Sequence, residues 1–227
     1  MQSPSIDTLV PIPRAAGERP VWLRVGALLD GGSAPPLRDA HVVYNGNGIL
    51  FAGADISGLS SYQVARRGIA IIPDTRRIIP NITVHENLKL AMLKTVQKNQ
   101  EASLLEMAYT YFPRLKDRSG NPGAALSGGE QQMLAIARSL VASPKLMLID
   151  EPTEGLMPTL VETIGDRLRE LRETGLTMLL VETNLDVAFK VAQRVYVMEK
   201  GLIKFQGTKK ELLESQEIQE KYLGVSV

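Results

Sequence analysis

The run Leu126-Ser127-Gly128-Gly129-Glu130-Gln131 sets a small hydroxyl and two residues without side chains ahead of an apolar helical pattern. A helix that starts this way leaves bare backbone N–H groups and the positive end of its dipole aimed at one spot, which is chemistry for holding an anion. The plainer alternative is a serine N-cap with a flexible lead-in, but a cap needs only Ser127, and adjacent glycines cost helix stability. Further on, LMLIDEP ends an apolar run in two acids, Asp150 and Glu151. Ligands of open α/β sheets sit at the carboxyl ends of the strands. There Asp150 is placed to hold Mg2+ through its water shell, and Glu151 to orient or deprotonate an attacking water. The alternative is that both acids simply end the strand and cap the next turn.

A third stretch, GALLDGGS, has the glycine spacing of a phosphate-cradling loop, G-x-x-x-x-G-K-[ST]. Gly26, Gly31 and Ser33 fall in register, Ser33 at the metal-binding hydroxyl, but Gly32 stands where the lysine belongs. Asp30 puts negative charge where phosphates would lie, and Pro35 and Pro36 burden the helix that should follow. Losing two charge-assisted hydrogen bonds costs on the order of 3–6 kcal/mol. That is roughly a hundred-fold to ten-thousand-fold weaker binding. The stretch reads either as a degenerate phosphate loop or as a glycine-rich loop with coincidental spacing.

The elements that must position these residues follow from pattern. VVYNGNGILF reads as a hairpin around Asn45-Gly46, SSYQVARRG as a short helix stopped at Gly68, and IAII as a buried strand ending at Pro73. Thr83 and Glu86 have capping-box spacing ahead of a run through Leu88, Leu90 and Met92, and ASLLEMAYTYF predicts a second helix that stops at Pro113. The helix from GGEQQ carries Met133, Ala137, Leu140 and Val141 on one face, ends by Pro144, and leads to strand LMLI. A helix over 159–173, with Leu160, Ile164, Leu168 and Leu171, leads likewise to strand LTMLLV. Strand, helix, strand with short links predicts a parallel sheet with crossover helices. A hairpin around Lys200-Gly201 and a capped surface helix opening at Thr208 follow.

Bulk properties narrow the partners. A chain of 227 residues can bury one substantial core, and its net charge of +1 gives no electrostatic case for nucleic acid. Without cysteine there is no disulfide framework or thiolate zinc site, which fits a reducing compartment. The apolar runs fall well short of the roughly 18 residues a membrane span needs, and no charged-then-apolar leader is visible. His41 and His85 have no second ligand nearby in sequence, so a metal role is not expected, and Trp22 and Met133 suit a core.

Taken together, LSGGEQQ at 126–132 and LMLIDEPTEGL after it closely resemble the ATP-binding subunits of ABC transporters. RRIIPNITVHENL, DEPTEGLMP, LLVETN and the ending YLGV look most like the smaller ATPase subunit of importers for branched-chain amino acids, over roughly residues 46–227. The resemblance implies an α/β, P-loop-NTPase-like fold: a parallel or mixed sheet with crossover helices, an antiparallel β part and a small helical subdomain at 81–125. These would form one domain over 1–227, with an atypical N-terminal region at 1–45.

It also implies ATP and Mg2+ as cofactors and head-to-tail pairing with a second ATPase subunit. Permease subunits in the membrane would be the other partners, placing the chain in the cytoplasm against the inner face. Ser127, Gly128 and Gly129 would touch the γ-phosphate of a nucleotide held by the other subunit, with Leu126, Glu130 and Gln131 completing the signature. Asp150 and Ser33 would face the metal and Glu151 would be catalytic, while the loop at Asp74 would couple to the permease. Two positions depart from the family pattern: Asp74 where a glutamine is usual, and Thr183 at the switch position where many members have histidine. With Gly32 at the lysine position, hydrolysis by this chain alone is not expected. A non-catalytic docking module and a chain with a misassigned N-terminus are the alternatives.

Overall fold

The computed structural model describes residues 21–28, 37–45, 48–52, 59–93, 96–199 and 202–220, the first three stretches as backbone. Its centre is a parallel sheet in the order β4 (Ile69–Ile72), β5 (Leu146–Asp150), β6 (Thr177–Val181). LMLID forms the middle strand because its first four residues are apolar and β-compatible. A strand covered on both faces must be apolar throughout. The pleat then divides them: Met147 and Ile149 enter a core with α5 (Gly128–Val141) and α6 (Pro158–Glu173), while Leu146 and Leu148 join Ile69 on the other face. All four side chains are buried, each stabilising the fold by roughly 1.5–3 kcal/mol. The sheet is in register from Ile69↔Leu146↔Thr177 to Ile72↔Ile149↔Leu180, so the chain leaves β4, β5 and β6 at one common end.

The helical connections were legible in pattern, with local differences. α1 (Ser61–Arg66) is capped by Ser60 and stopped by Gly68, whose φ of 84° suits glycine. Pro113 ends α3 (Glu101–Tyr111) but also opens α4 (Pro113–Asp117), because its fixed φ suits the first helical position and its missing N–H is not needed there. α5 is buried almost all round, from Gly129 to Val141, rather than along a single face. It packs against β4 on one side and against α2 (Val84–Met92), α3 and α4 on the other, so these helices share one continuous core with it. Like α4, α7 (Leu185–Val191) has no counterpart in the pattern reading; it is capped by Asn184 and lies along α6.

Two antiparallel parts complete the described residues. β7 (Val195–Glu199) and β8 (Leu202–Gly207) pair as a hairpin and place Tyr196 and Ile203 against the Leu146–Leu148 face. α8 (Lys209–Glu214) follows, closed by the expected box between Thr208 and Glu211, and α9 (Gln216–Ile218) ends the described chain. β1 (Val21–Leu28), β2 (Leu37–Asn45) and β3 (Gly48–Ala52) form a separate sheet; Asn45 pairs with Gly48 as the hairpin reading requires.

The entry into α2 rests on one polar side chain. Asn87 is fully buried, accepts the Ile79 N–H at 3.0 Å and donates to the carbonyls of Ile79 at 2.9 Å and Thr83 at 3.0 Å. The half-buried backbone groups of this loop at Ile79 and Thr83 need such a partner where they turn from water. Asn87→Ala is expected to cost about 2–4 kcal/mol, the desolvation of the groups it orphans plus a small cavity. Urea unfolding of the variant against the parent chain measures this.

Candidate functional site

Two clusters of side chains stand at the carboxyl end of the sheet and at the start of α5. At α5, Ser127 is the N-cap: its Oγ accepts the Glu130 N–H at 3.3 Å, while the Ser127 N–H donates to Glu130 Oε2 at 2.9 Å and its hydroxyl to the same oxygen at 2.9 Å. The Ser127 backbone N–H, first of these donors, holds the Glu130 carboxyl below its usual range against some desolvation, with help from Arg118 and Arg114. Arg118 Nε lies 3.5 Å from the other Glu130 oxygen. The cap is thus self-contained, and Ser127 remains exposed with Gly128 half-buried beside it. Leu126 is buried, and Gln131 donates inward to the Leu126 carbonyl at 3.3 Å.

The two glycines answer to different neighbours. A Cβ on Gly129 would lie 2.3 Å from Leu160 Cδ1, so the close approach of α6 demands glycine there. A Cβ on Gly128 would lie 3.0 Å from Arg76 Nη1, so a guanidinium covers the outer face of the first turn. Reading the sequence for cap and glycines missed both Leu160 and Arg76; the adjacent pair Arg76-Arg77 just after a strand was the available signal.

At the sheet end, Asp150 closes β5 half-buried, and Glu151 follows with φ 43°, a left-handed conformation that costs a non-glycine residue about 1–2 kcal/mol. It is held there from both sides. The Glu151 N–H donates to the Val181 carbonyl at 3.0 Å, and its Oε2 accepts the Thr183 hydroxyl at 3.1 Å and the Thr183 N–H at 3.3 Å. A second carboxylate, Glu182, accepts from the Thr153 N–H at 3.1 Å and from its hydroxyl, and from the Asn184 N–H at 3.0 Å. Glu182 therefore ties the loop after β6 to the loop after β5. Asp74 is exposed, and its Oδ1 accepts the Thr75 N–H at 2.7 Å.

The structure thus brings Asp150, Glu151, Asp74 and Thr183 to one end of the sheet. Among the described residues no phosphate loop stands there. Gly26, the expected first glycine, lies inside β1, whose described neighbour β2 runs antiparallel to it, and that sheet is separate from β4–β5–β6. A phosphate loop must spring from a strand of the parallel sheet so that its amides face the acidic end. Gly26 thus stands within β1, and the next described element is the strand β2. Gly31, Gly32 and Ser33 lie outside the described residues. The fit to a nucleotide is consequently one-sided: an exposed cap beside a guanidinium suits a phosphate, whereas the acidic end lacks a described cradle. No group of three or more metal-ligating side chains occurs among the described residues, and His85 spends its Nδ1 on the Tyr109 hydroxyl at 3.2 Å.

Comparison with known proteins agrees with the cap and the acidic strand. The ABC transporter family model matches residues 40–154. The chain belongs to the ABC transporter ATP-binding family. It is 39% identical over 176 residues to the high-affinity branched-chain amino acid transport ATP-binding protein BraG of Pseudomonas aeruginosa, covering 78% of this chain and 75% of that protein. It is 34% identical over 181 residues to the lipopolysaccharide export system ATP-binding protein LptB of Haemophilus influenzae, covering 78% and 73%. Among solved structures, cbiO1 from Clostridium perfringens, part of the ABC transporter complex cbiONQ, superposes with a TM-score of 0.62 at 25% identity, covering 84% of this chain and 74% of that one. No described helix of this ABC subunit is long and apolar enough to cross a membrane.

Electrostatics at the acidic end give a testable consequence. Partial burial first, then the carboxylates of Asp74, Glu151 and Glu154, push Asp150 above the usual aspartate range. A raised folded value means the native state binds the proton more tightly than the unfolded chain. The stability it contributes is full below the ordinary value of 3.8 and is lost as pH rises through the folded value. Asp150→Asn is expected to remove this loss, so its urea midpoint should fall less than the parent's as pH rises above the ordinary aspartate value of 3.8. Parallel midpoint curves would show that the carboxylate is not strained by its neighbours.

Proposed function

We propose that this chain is the ATP-binding subunit of an ABC importer for branched-chain amino acids, working at the cytoplasmic face of a membrane against permease subunits. The observation that carries the reading is the start of α5, where Ser127 is exposed and Gly128 leaves the first-turn amides uncovered by any side chain of its own. Family membership supports reading that surface as the signature that would close on a nucleotide held by a second ATPase subunit. BraG, whose name specifies branched-chain amino acid transport, supports the solute class.

The roles are unequal between the two sites such a pair would form. Ser127, Gly128 and Gly129 bind the terminal phosphate of the other subunit's ATP. There the positive helix end and the fixed donors stabilise the charge that builds up as the phosphoanhydride bond breaks. On this chain's own side, Asp150 is the residue that would hold Mg2+ and Glu151 the one that would orient the attacking water, with Thr183 fixing the Glu151 carboxylate. ATP bound there is weak, because the lysine is absent and Gly26 lies in β1. That same position of Gly26 favours a second reading, a docking module that holds no nucleotide of its own but keeps the surface around Asp74 for the permease.

Phosphate release by the assembled pair with its permease tests the reading. With an intact phosphate loop on the other subunit, Ser127→Arg is expected to lower turnover at that subunit's site by about a hundred-fold or more, since single donors of this type are worth about 10²–10³ in rate. Unchanged turnover would overturn the proposal. Labelled ATP that binds the pair at one site rather than two supports the weak own site.

A further inference from the structure

We propose that Arg76 is a phosphate-engaging residue of the composite site, supplying a guanidinium to the terminal phosphate that the second subunit brings to α5. This deepens the reading above and rests on it. Arg76 follows β4 in a loop that turns sharply: the Arg76 N–H donates to the Pro73 carbonyl at 3.1 Å and the Arg77 N–H to the Thr75 carbonyl at 2.6 Å. Both arginines are left-handed, at φ 59° and 43°, and Arg138 Nη1 clamps the turn by donating to the Arg77 carbonyl at 2.8 Å. The result lays the Arg76 side chain across the first turn of α5. A Cβ on Gly128 would lie 3.0 Å from its Nη1, 3.7 Å from Cζ and 3.8 Å from Nη2.

The placement is electrostatically unbalanced in the free chain. A cation at the N-terminus of a 14-residue helix meets the positive end of the dipole, the end that favours anions. Among the described residues Arg76 has no carboxylate within ion-pair distance. The nearest acid in the first turn, Glu130, is committed to the Ser127 N–H and hydroxyl and to Arg118. A phosphate arriving at the bare amides reverses both interactions at once. The helix end and the guanidinium then attract the same oxygens, and an arginine suits a phosphate because its planar fork presents paired donors. A Cβ at 128 would push the guanidinium back from the turn, so glycine there favours this close approach.

The test uses the pair assembled with its permease. Arg76→Ala is expected to lower kcat at the other subunit's site about ten- to hundred-fold, the worth of one charge-assisted hydrogen bond, and Arg76→Lys is expected to recover part of it by keeping the charge. Without nucleotide, Arg76→Ala should melt at the parent's temperature or above it, because a cation has been taken from a positive helix end; with ATP and Mg2+ its thermal gain should be smaller than the parent's. A lower nucleotide-free melting temperature would make Arg76 a structural residue and overturn the inference. So would full turnover in Arg76→Ala beside a dead Ser127→Arg, which leaves the signature reading standing. Full turnover in Ser127→Arg sinks the reading itself.

Discussion

The first turn of α5 is the constraint on which the rest of the site depends. A helix start exposes N–H groups that need partners, and here the partnership is arranged so that the outer face presents the Ser127 hydroxyl, Gly128 and the Arg76 guanidinium. Glu130 and Ser127 satisfy one another in a closed box, Arg118 steadies the carboxylate from the side, and Leu160 of α6 fills the space where a Gly129 side chain would stand. Each contact pins the turn from within the chain. The exposed hydroxyl and Gly128 are then held rigidly by a core that includes Leu134, Ile136 and Met147, rather than by a mobile loop. Rigid presentation of donors is what makes a phosphate site effective, since no reorganisation is needed when charge arrives.

The loop after β4 links this turn to the acidic end of the sheet. Asp74 raises the proton affinity of Asp150 at one end of it, and two residues later Arg76 covers Gly128. After Asp74 the loop turns through two left-handed residues, Arg76 and Arg77. A second link runs through Glu182, whose oxygens join Thr153 and Asn184 across β5 and β6. Both links are local and strained or charged, and both lie where the three parallel strands end together.

Much of this was legible in sequence, because the signals were local. SGGE announced a capped helix start, LMLIDEP a buried strand ending in acids, and Thr83 with Glu86 a capping box, each needing only a few neighbours to form. The pattern failed where partners are distant in sequence. Nothing in SGG reveals that Leu160 dictates one glycine and Arg76 covers the other. α7 is seven residues, under two turns, too short for its apolar positions to show a period. An interval such as that of GALLDGGS cannot say which sheet its strand joins, and β1 joins β2. Glycine spacing is a statement about backbone permissiveness rather than about the sheet a strand joins.

The sign of charge then separates the two halves of the proposed chemistry. At the sheet end Asp74, Asp150, Glu151 and Glu154 stand together, and repulsion among them already favours a proton on Asp150. A triphosphate arriving there meets like charge, and needs a lysine and a divalent cation in place before binding becomes favourable. Position 32, where that lysine belongs, is glycine. At α5 the balance is opposite, since the helix end and Arg76 are both positive and Glu130 is engaged inside its own box. That end can receive a phosphate carried by another subunit without first recruiting a cation of its own. A chain built this way can serve a neighbour's nucleotide while holding its own poorly. The asymmetry follows from where the charges sit, and it does not require the lost loop to be restored.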